Sequence, residues 1–374
     1  MKRAIGLFLA LTMLLFLFCG CGANTQIPAD SEKTITITDH NGDTVTLPAN
    51  IDRIAVCDIL PMPSVLSVFF DSADKIVAMS PGSMSAAENG LLSELYPEIL
   101  NADTSAINGS NVNTEELMKL DPQIVIYNAS SVQLGQILKK AGFHAVAMSV
   151  NKWDYNAVET LNQWIALLSQ IFPDAANGRA ELVRKFSDES LKLVRERTEK
   201  LTDAEREKIF FLYKYSDDSI VTSGRNFFGQ WWADAIGAVN AAEELTEDNS
   251  VKVTPEQIYS WNPDIVLMTN FSTALPDDLY RNTVGNYDWS GIQAIENQKV
   301  YKMPLGMYRS FTPGVDTPIT LLWLAKTVYP DLFADIDITE KTVEYYGSVF
   351  GVELTKKQAE SIFSPVSAAG KTVF

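Results

Sequence analysis

The sequence predicts an α/β protein of two lobes, each a mostly parallel sheet flanked by helices, joined by one long helix. Three observations carry that expectation. Short apolar runs alternate with helix-like segments; the alternation stops at one long, charged helical stretch and then restarts; and a pattern in the first half recurs 141 residues later. Strands alternating with helices build a parallel sheet covered on both faces. A length of 374 residues exceeds the roughly 100–200 of a single domain, which suits two lobes.

Composition removes several function classes. Hydrophobic residues make up 46% and charged residues 21%, the balance of a packed globular chain. Thirty Lys and Arg against 47 Asp and Glu give a net charge of −17, which repels phosphate backbones, and no basic cluster with interleaved aromatics occurs. Nucleic acid is excluded as a partner. Three cysteines are too few for a disulfide scaffold, and two histidines too few for a His-built metal site. No cofactor is implied.

The elements follow in order. Lys2 and Arg3 precede an apolar run from Ala4 to Phe18, too short for the roughly 20 residues that span a bilayer, so residues 1–20 read as a signal peptide. Gly20 directly before Cys21 resembles a bacterial lipobox, although Phe18 is a looser fit than the usual Leu. The resemblance implies that Cys21 becomes a diacylated N-terminus and anchors the chain to the membrane; two chains hold durably at about 0.8 kcal/mol per buried CH₂. Residues 21–33 are small and polar, a tether. Thr34–Thr38 and Asp43–Leu47 alternate around Asn41-Gly42, a strong hairpin signal because both turn residues accept positive φ.

Strands are expected at Arg53–Val56, Lys75–Ala78, Gln123–Tyr127 and Ala145–Met148. From Ala157 to Ile171, Val158, Leu161, Trp164, Ile165, Leu168 and Ile171 recur on one helix face, and Pro173 breaks it. These elements form an N-terminal lobe over residues 34–173. Residues 174–201 form the long, mostly polar helix, a strut between lobes. The C-terminal lobe, 202–374, restarts with strands at Ile209–Tyr213, Ile265–Met268 and Val300–Met303. Helices are expected at Trp231–Ile236, Pro255–Ser260, Ile319–Val328, Glu340–Tyr346 and Thr355–Ile362. At least one of Trp231 and Trp232 belongs to the core.

The internal repeat pairs Val112–Ile126 with Val253–Leu267. Each copy has a capping residue (Asn113 or Thr254), a short helix, a proline and a buried-type strand. Each places a glutamate, Glu115 or Glu256, seven residues before that proline, near the helix start where its charge suits the dipole.

With this repeat the chain resembles the periplasmic-binding-protein family for iron–siderophore and vitamin B12 uptake, over roughly Thr34 to Phe363. The other supporting segments are the Thr36–Leu47 hairpin, Arg53–Val56, Trp289–Tyr301, Leu321–Lys326 and Tyr329-Pro330, in family order. The resemblance implies two α/β lobes joined by a long helix with the ligand in the groove between them. It implies a non-enzymatic, monomeric substrate-binding component of an ABC importer outside the cytoplasm. It further implies that Glu115 and Glu256 dock onto arginines of a permease dimer that works with an ATPase. Where relatives often have Thr-Glu after the first strand, this chain has Pro63-Ser64, so ligand contacts there do not transfer.

Ligands of open α/β sheets bind beyond the carboxyl ends of the strands. That geometry selects Cys57–Pro63, Ser80–Met84, Asn108–Ser110 and Asn128–Ser131 in the first lobe. In the second it selects Lys214–Arg225, Thr269–Thr273 and Leu305–Phe311. Arg225 and Arg309 are the expected anion contacts, since arginine offers a fixed fork of donors. Tyr215, Tyr308 and Trp153 offer flat rings with polar tips. Cys57 is expected as a buried small hydrophobe. His40 in the hairpin turn and His144 between a helix and a strand lie away from this groove, so a bare transition metal is not the expected cargo. The cargo classes are a ferric siderophore or related metal chelate first, then haem, cobalamin or a molybdate-type oxyanion. Two rivals are a lipid-anchored hydrolase, for which no Gly-x-Ser-x-Gly, His-Glu-x-x-His or P-loop motif occurs, and a scaffold lipoprotein without cargo.

Overall fold

β-Branched residues and Gly42 start the fold. Strands β1 (Thr34–Thr38) and β2 (Thr44–Pro48) pair antiparallel, Thr36 opposite Thr46. The turn differs from the expected two-residue type. Asp39 and Asp43 close a three-residue loop, Asp39 N donating to Asp43 O at 3.0 Å. Within it Gly42 alone is left-handed (φ 84°), because the buried Asp39 carboxylate accepts from the Asn41 and Asp43 amides and fixes the remainder. The computed structural model describes residues 33–370; the expected signal peptide, the expected lipidated Cys21 and all of the expected tether but residue 33 lie outside the described residues.

The first lobe is a parallel sheet of β3 (Ile54–Cys57), β4 (Ile76–Ala78), β7 (Ile124–Asn128) and β8 (Ala145–Met148), in the order β4-β3-β7-β8. A small hairpin, β5 (Ile107–Asn108) and β6 (Asn111–Val112), precedes β7. The second lobe is a mixed sheet in the order β12 (Ser250–Val253), β10 (Ser219–Ser223), β9 (Lys208–Ser216), β13 (Ile265–Met268), β14 (Val300–Lys302), with β11 (Val239–Asn240) also on β9. In it β9, β13 and β14 run parallel. Strand β10 pairs antiparallel with β9, and β12 pairs antiparallel with β10. Strands β10 and β12 were not anticipated, because their polar positions do not read as buried strand.

Period-two geometry explains the core. Ile54, Val56, Ile124, Ile126, Val146 and Met148 face one apolar cluster, whereas Ala55, Cys57, Val125, Tyr127, Ala145 and Ala147 face another. In the second lobe Ile209, Phe211, Ile265 and Leu267 join the first of these clusters, and Phe210, Leu212, Val266 and Met268 face a third. One apolar cluster therefore runs from sheet to sheet. A continuous hydrophobic boundary of this kind resists relative motion of the lobes.

The long helix runs from Arg179 to Thr198, shorter than the expected 174–201. Pro173–Ala176 forms its own turn, and Asn177 and Gly178 are both left-handed (φ 44° and 72°), which resets the chain before the helix begins. Twenty residues at about 1.5 Å each give a rod of about 30 Å. Val183, Ser187, Ser190, Val194 and Thr198, at three- and four-residue steps, form its buried stripe. It packs between the helices Ala157–Ile171 and Thr317–Val328.

The repeat extends further than its sequence signature. Asn113 accepts from the amides of Glu115 and Glu116 to cap the helix Thr114–Lys119, and Thr254 caps Pro255–Trp261 through a reciprocal box with Gln257. Asp121 and Asn262, each directly before a proline, are both left-handed (φ 47° and 43°). The basic residue leading the central strand of each lobe reaches back to the end of its helix. Arg53 donates to the Leu120 and Asp121 carbonyls, and Lys208 Nζ to Trp261 O. Cations at carbonyl-rich helix ends are favourable.

Candidate functional site

The carboxyl ends of the parallel strands carry the loops expected to hold a ligand, and the two lobes supply different chemistry there. In the second lobe the chain after β14 turns sharply, with a bridge between Leu305 and Arg309. Asp316, at the cap of the helix Thr317–Val328, fastens this turn. Its carboxylate accepts from Met307 N at 2.9 Å and from Tyr346 Oη at 2.5 Å. The approach is close enough that a Cβ on Gly306 would overlap that carboxylate. Burial pushes the Asp316 carboxyl up to about 6, against the hydrogen bonds it accepts.

This scaffold holds Arg309, which is 2% exposed. Its guanidinium lies 4.8 Å from the Phe271 ring centre and 5.6 Å from that of Tyr308, a clamp of two rings on one cation. Among the described residues no carboxylate pairs with it. A second cation sits nearby: Lys302, 8% exposed, donates from Nζ to the carbonyls of Ser272 (2.7 Å) and Ala274 (2.6 Å). Burial and then the Arg309 charge hold its ammonium down at about 7, against the pull of Asp278. Lys302 thereby braces the Thr269–Thr273 loop that carries Phe271. A buried cation without a carboxylate is costly unless something anionic or strongly hydrogen bonding meets it.

From Phe271 a row of rings continues to the other lobe. Tyr213 lies 5.0 Å from Phe271, Phe227 lies 5.3 Å from Tyr213, and Tyr155 of the first lobe lies 5.5 Å from Phe227. Phe311 backs the row, 5.4 Å from Tyr213. Tyr155 also donates to Asn249 Oδ1 at 3.2 Å. Asp154 and Tyr155 are successively left-handed (φ 51° and 57°), a conformation costing a non-glycine residue about 1 kcal/mol or more and concentrated at functional sites.

The first lobe offers hydroxyls and an acid. Asp58, left-handed at the end of β3 (φ 58°), accepts from Ser131 Oγ, and burial raises its carboxyl above the usual range. Ser80 caps the helix Pro81–Asn89, and Ser83 Oγ donates to Leu60 O at 2.7 Å.

The predicted residues divide. Tyr308 and Arg309 are brought together as described. Tyr215 lies instead in the apolar cluster of the second lobe, 5% exposed; its hydroxyl donates to Val284 O (2.7 Å) and accepts from Trp289 Nε1 (3.0 Å), leaving nothing for a ligand. Strict alternation would put Tyr213 and Tyr215 on one face, but the strand bulges at Tyr213, where Val221 pairs with Lys214 and Thr222 with Leu212; Tyr213 therefore starts the row while Tyr215 turns to the opposite face. Arg225 is exposed, its Nε on Glu243 O at 2.9 Å, and no contact ties it to Arg309 or its rings among the described residues. The antiparallel return of β10 carries it back along the sheet. Trp153 packs edge-on against His40, 5.0 Å between centres, at the hairpin; Tyr155 faces the second lobe in its place. His40 is held neutral, down at about 4 by burial, with Nδ1 accepting from Ser149 N. Cys57 is fully buried and its thiol is pushed up to about 12. Trp232 is core, its indole donating to Phe311 O. Glu115 and Glu256 are exposed, and neither has an ion-pair partner among the described residues.

Tyr155, Phe227 and Phe271 were missed in the sequence. Asp154-Tyr155-Asn156, just before an apolar helix face, carries no motif; Phe227-Phe228 reads as core; and Phe271 lay in the eligible loop Thr269–Thr273 without being singled out. Among the described residues no group of three His, Cys, Asp or Glu is placed to hold a metal, and no helix is long and apolar enough to cross a membrane.

Residues 78–305 match the family profile for periplasmic binding proteins. The molybdate-binding protein MolA of Haemophilus influenzae is 25% identical over 83% of this chain and 89% of its own length. An uncharacterized ABC transporter substrate-binding lipoprotein, YvrC of Bacillus subtilis, is 25% identical over 80% of this chain and 87% of its own. Among solved structures, a periplasmic solute binding protein from Veillonella parvula superposes with a TM-score of 0.76 at 27% identity, covering 89% of this chain and 97% of that one.

Proposed function

This chain belongs to the periplasmic binding protein family, and from that premise we propose that it delivers an anionic metal chelate, a ferric siderophore or a related complex, to an ABC importer. The observation that carries the reading is Arg309: a guanidinium 2% exposed, clamped by Phe271 and Tyr308, with no carboxylate partner among the described residues. Such a group presents two parallel donors to an oxyanion. The ring row from Phe271 through Tyr213 and Phe227 to Tyr155 supplies flat contact for a bulky chelate. A chelated metal brings its own ligands, which suits a site without a His or Cys cluster. Lipid anchoring at Cys21 belongs to the same reading and is supported by the likeness to YvrC.

A second reading, a molybdate-type oxyanion, is favoured by the likeness to MolA and uses the same Arg309 edge. Absorbance and elemental analysis of protein isolated with its native ligand separate the two. A ferric charge-transfer band supports the chelate, and molybdenum without iron supports the oxyanion. A Soret band or a cobalt signal would move the cargo to haem or cobalamin and count against both.

Glu115 and Glu256 are proposed to dock onto arginines of the permease. Each is followed three residues later by an exposed apolar side chain, Met118 (48%) and Tyr259 (40%), so the lobes offer matched acidic-plus-apolar knobs.

A further inference from the structure

We propose that the segment Ser364–Gly370 is a built-in competitor for the groove, and that the ligand's anionic oxygens and the Ala369 carbonyl contend for one edge of the Arg309 guanidinium. The inference rests on the anion-binding reading above. Arg309 donates to Ala369 O from both Nε (3.0 Å) and Nη2 (2.6 Å). Ala369 is fully buried. Gly370 lies so close to the second lobe that a Cβ there would overlap the Ser272 carbonyl. From the other side, the first-lobe helix Pro81–Asn89 packs against Ser367–Gly370. The segment therefore touches Ser272 and Arg309 of one lobe and the helix after β4 of the other, the loops expected to hold a ligand.

The chemistry makes this occupant replaceable. One neutral carbonyl oxygen shared by two N–H groups satisfies the guanidinium weakly. A carboxylate, catecholate or oxyanion on the same edge gives each N–H its own oxygen in a bidentate pair and adds the attraction of a full opposite charge. The segment also leaves cheaply: Ser364-Pro365-Val366-Ser367-Ala368-Ala369-Gly370 contains no large side chain, and its bulkiest, Val366, is 50% exposed. While in place it meets the buried Arg309 charge; when displaced it yields that edge to cargo. The protein's apparent affinity is then its intrinsic affinity reduced by the fraction of molecules with the segment out.

The test compares the full chain, a chain truncated after Ser364, and full-length Gly370→Val, whose side chain cannot fit against Ser272. Calorimetric titrations use sodium molybdate and ferric tris(2,3-dihydroxybenzoate). Truncation and Gly370→Val are each expected to tighten binding of the accepted probe by about tenfold. A synthetic peptide of Ser364–Phe374 should compete with the probe on the truncated chain. Equal affinity in all three proteins overturns the competitor while leaving the anion site standing. If neither probe binds any form, the peptide alone decides. Saturable binding to the truncated chain that Arg309→Gln abolishes supports the competitor, and no binding overturns it. Should the truncated chain not fold, Gly370→Val carries the comparison.

Discussion

The two lobes repeat one plan down to the left-handed residues before Pro122 and Pro263, yet the surfaces they bring to the groove are chemically opposed. The first lobe contributes serine hydroxyls, the half-buried Asp58 and only one ring of the row, Tyr155. The second contributes two buried cations, Arg309 and Lys302, and the rings of Phe271, Tyr213 and Phe227. A duplicated scaffold thus keeps its strand ends in common and diverges only in the loops beyond them. Affinity for an anion should reside almost wholly in the second lobe, and docking should be shared equally by both.

The largest expected effect breaks that asymmetry at its centre. Arg309→Gln replaces the charged fork by a shorter neutral amide, and binding of the anionic cargo should fall about 100-fold by calorimetric titration, the scale of losing a charge-assisted pair. A comparable loss from Asp58→Asn, with Arg309→Gln harmless, would reverse the assignment of the lobes.

Next in size is the test of equality. Charge reversal at Glu115 or at Glu256 should each lower uptake in cells, and the double reversal should lower it by about tenfold or more, while ligand affinity stays within about twofold. Affinity falling in step with uptake would remove the docking role from these glutamates.

A third prediction concerns the scaffold under Arg309. The Asp316 carboxyl is raised from the ordinary 3.8 to about 6 by burial. The folded protein therefore holds a proton there that the unfolded chain releases. The stability linked to this group is fully present below about pH 4 and is lost as pH rises through about 6, by about 3 kcal/mol. Urea unfolding between pH 4 and pH 7 should show this decline, and Asp316→Asn should flatten it. An unchanged slope in the variant would place the titration elsewhere.

The smallest effect sharpens the boundary between the lobes. Tyr155→Phe keeps the ring against Phe227 and Phe228 and loses only the bond to Asn249. Thermal unfolding should register about 1 kcal/mol or less. A much larger loss would mean that this hydroxyl, rather than the shared apolar cluster, holds the lobes together.

Much of the scaffold was legible in the residues themselves. The stripe from Val158 to Ile171 is buried as its spacing requires, and the four apolar runs of the first lobe became four parallel strands. The caps Asn113 and Thr254 hold their helices through the expected side-chain oxygens. Such signals are local: a periodicity or a cap is satisfied within one or two turns of chain. The break at Asn177-Gly178 was equally local, although the reading of one helix over 174–201 ran through that Asn-Gly pair.

The site was legible only in part, for a different reason. Arg309 and Tyr308 could be nominated from their place after a strand. Tyr215 and Tyr213 share one strand, and nothing in their immediate context says which one meets the core. Sequence alone determined the alternation of strands and helices, the duplication, the acidic surface and the loops eligible for binding. Tertiary structure alone decided that Arg309 is buried with no carboxylate partner among the described residues, that Tyr155 rather than Trp153 meets the second lobe, and that Ala369 lies on the guanidinium. The last two are contacts between residues 60 or more positions apart, and such pairings arise only when separate elements close on a common core.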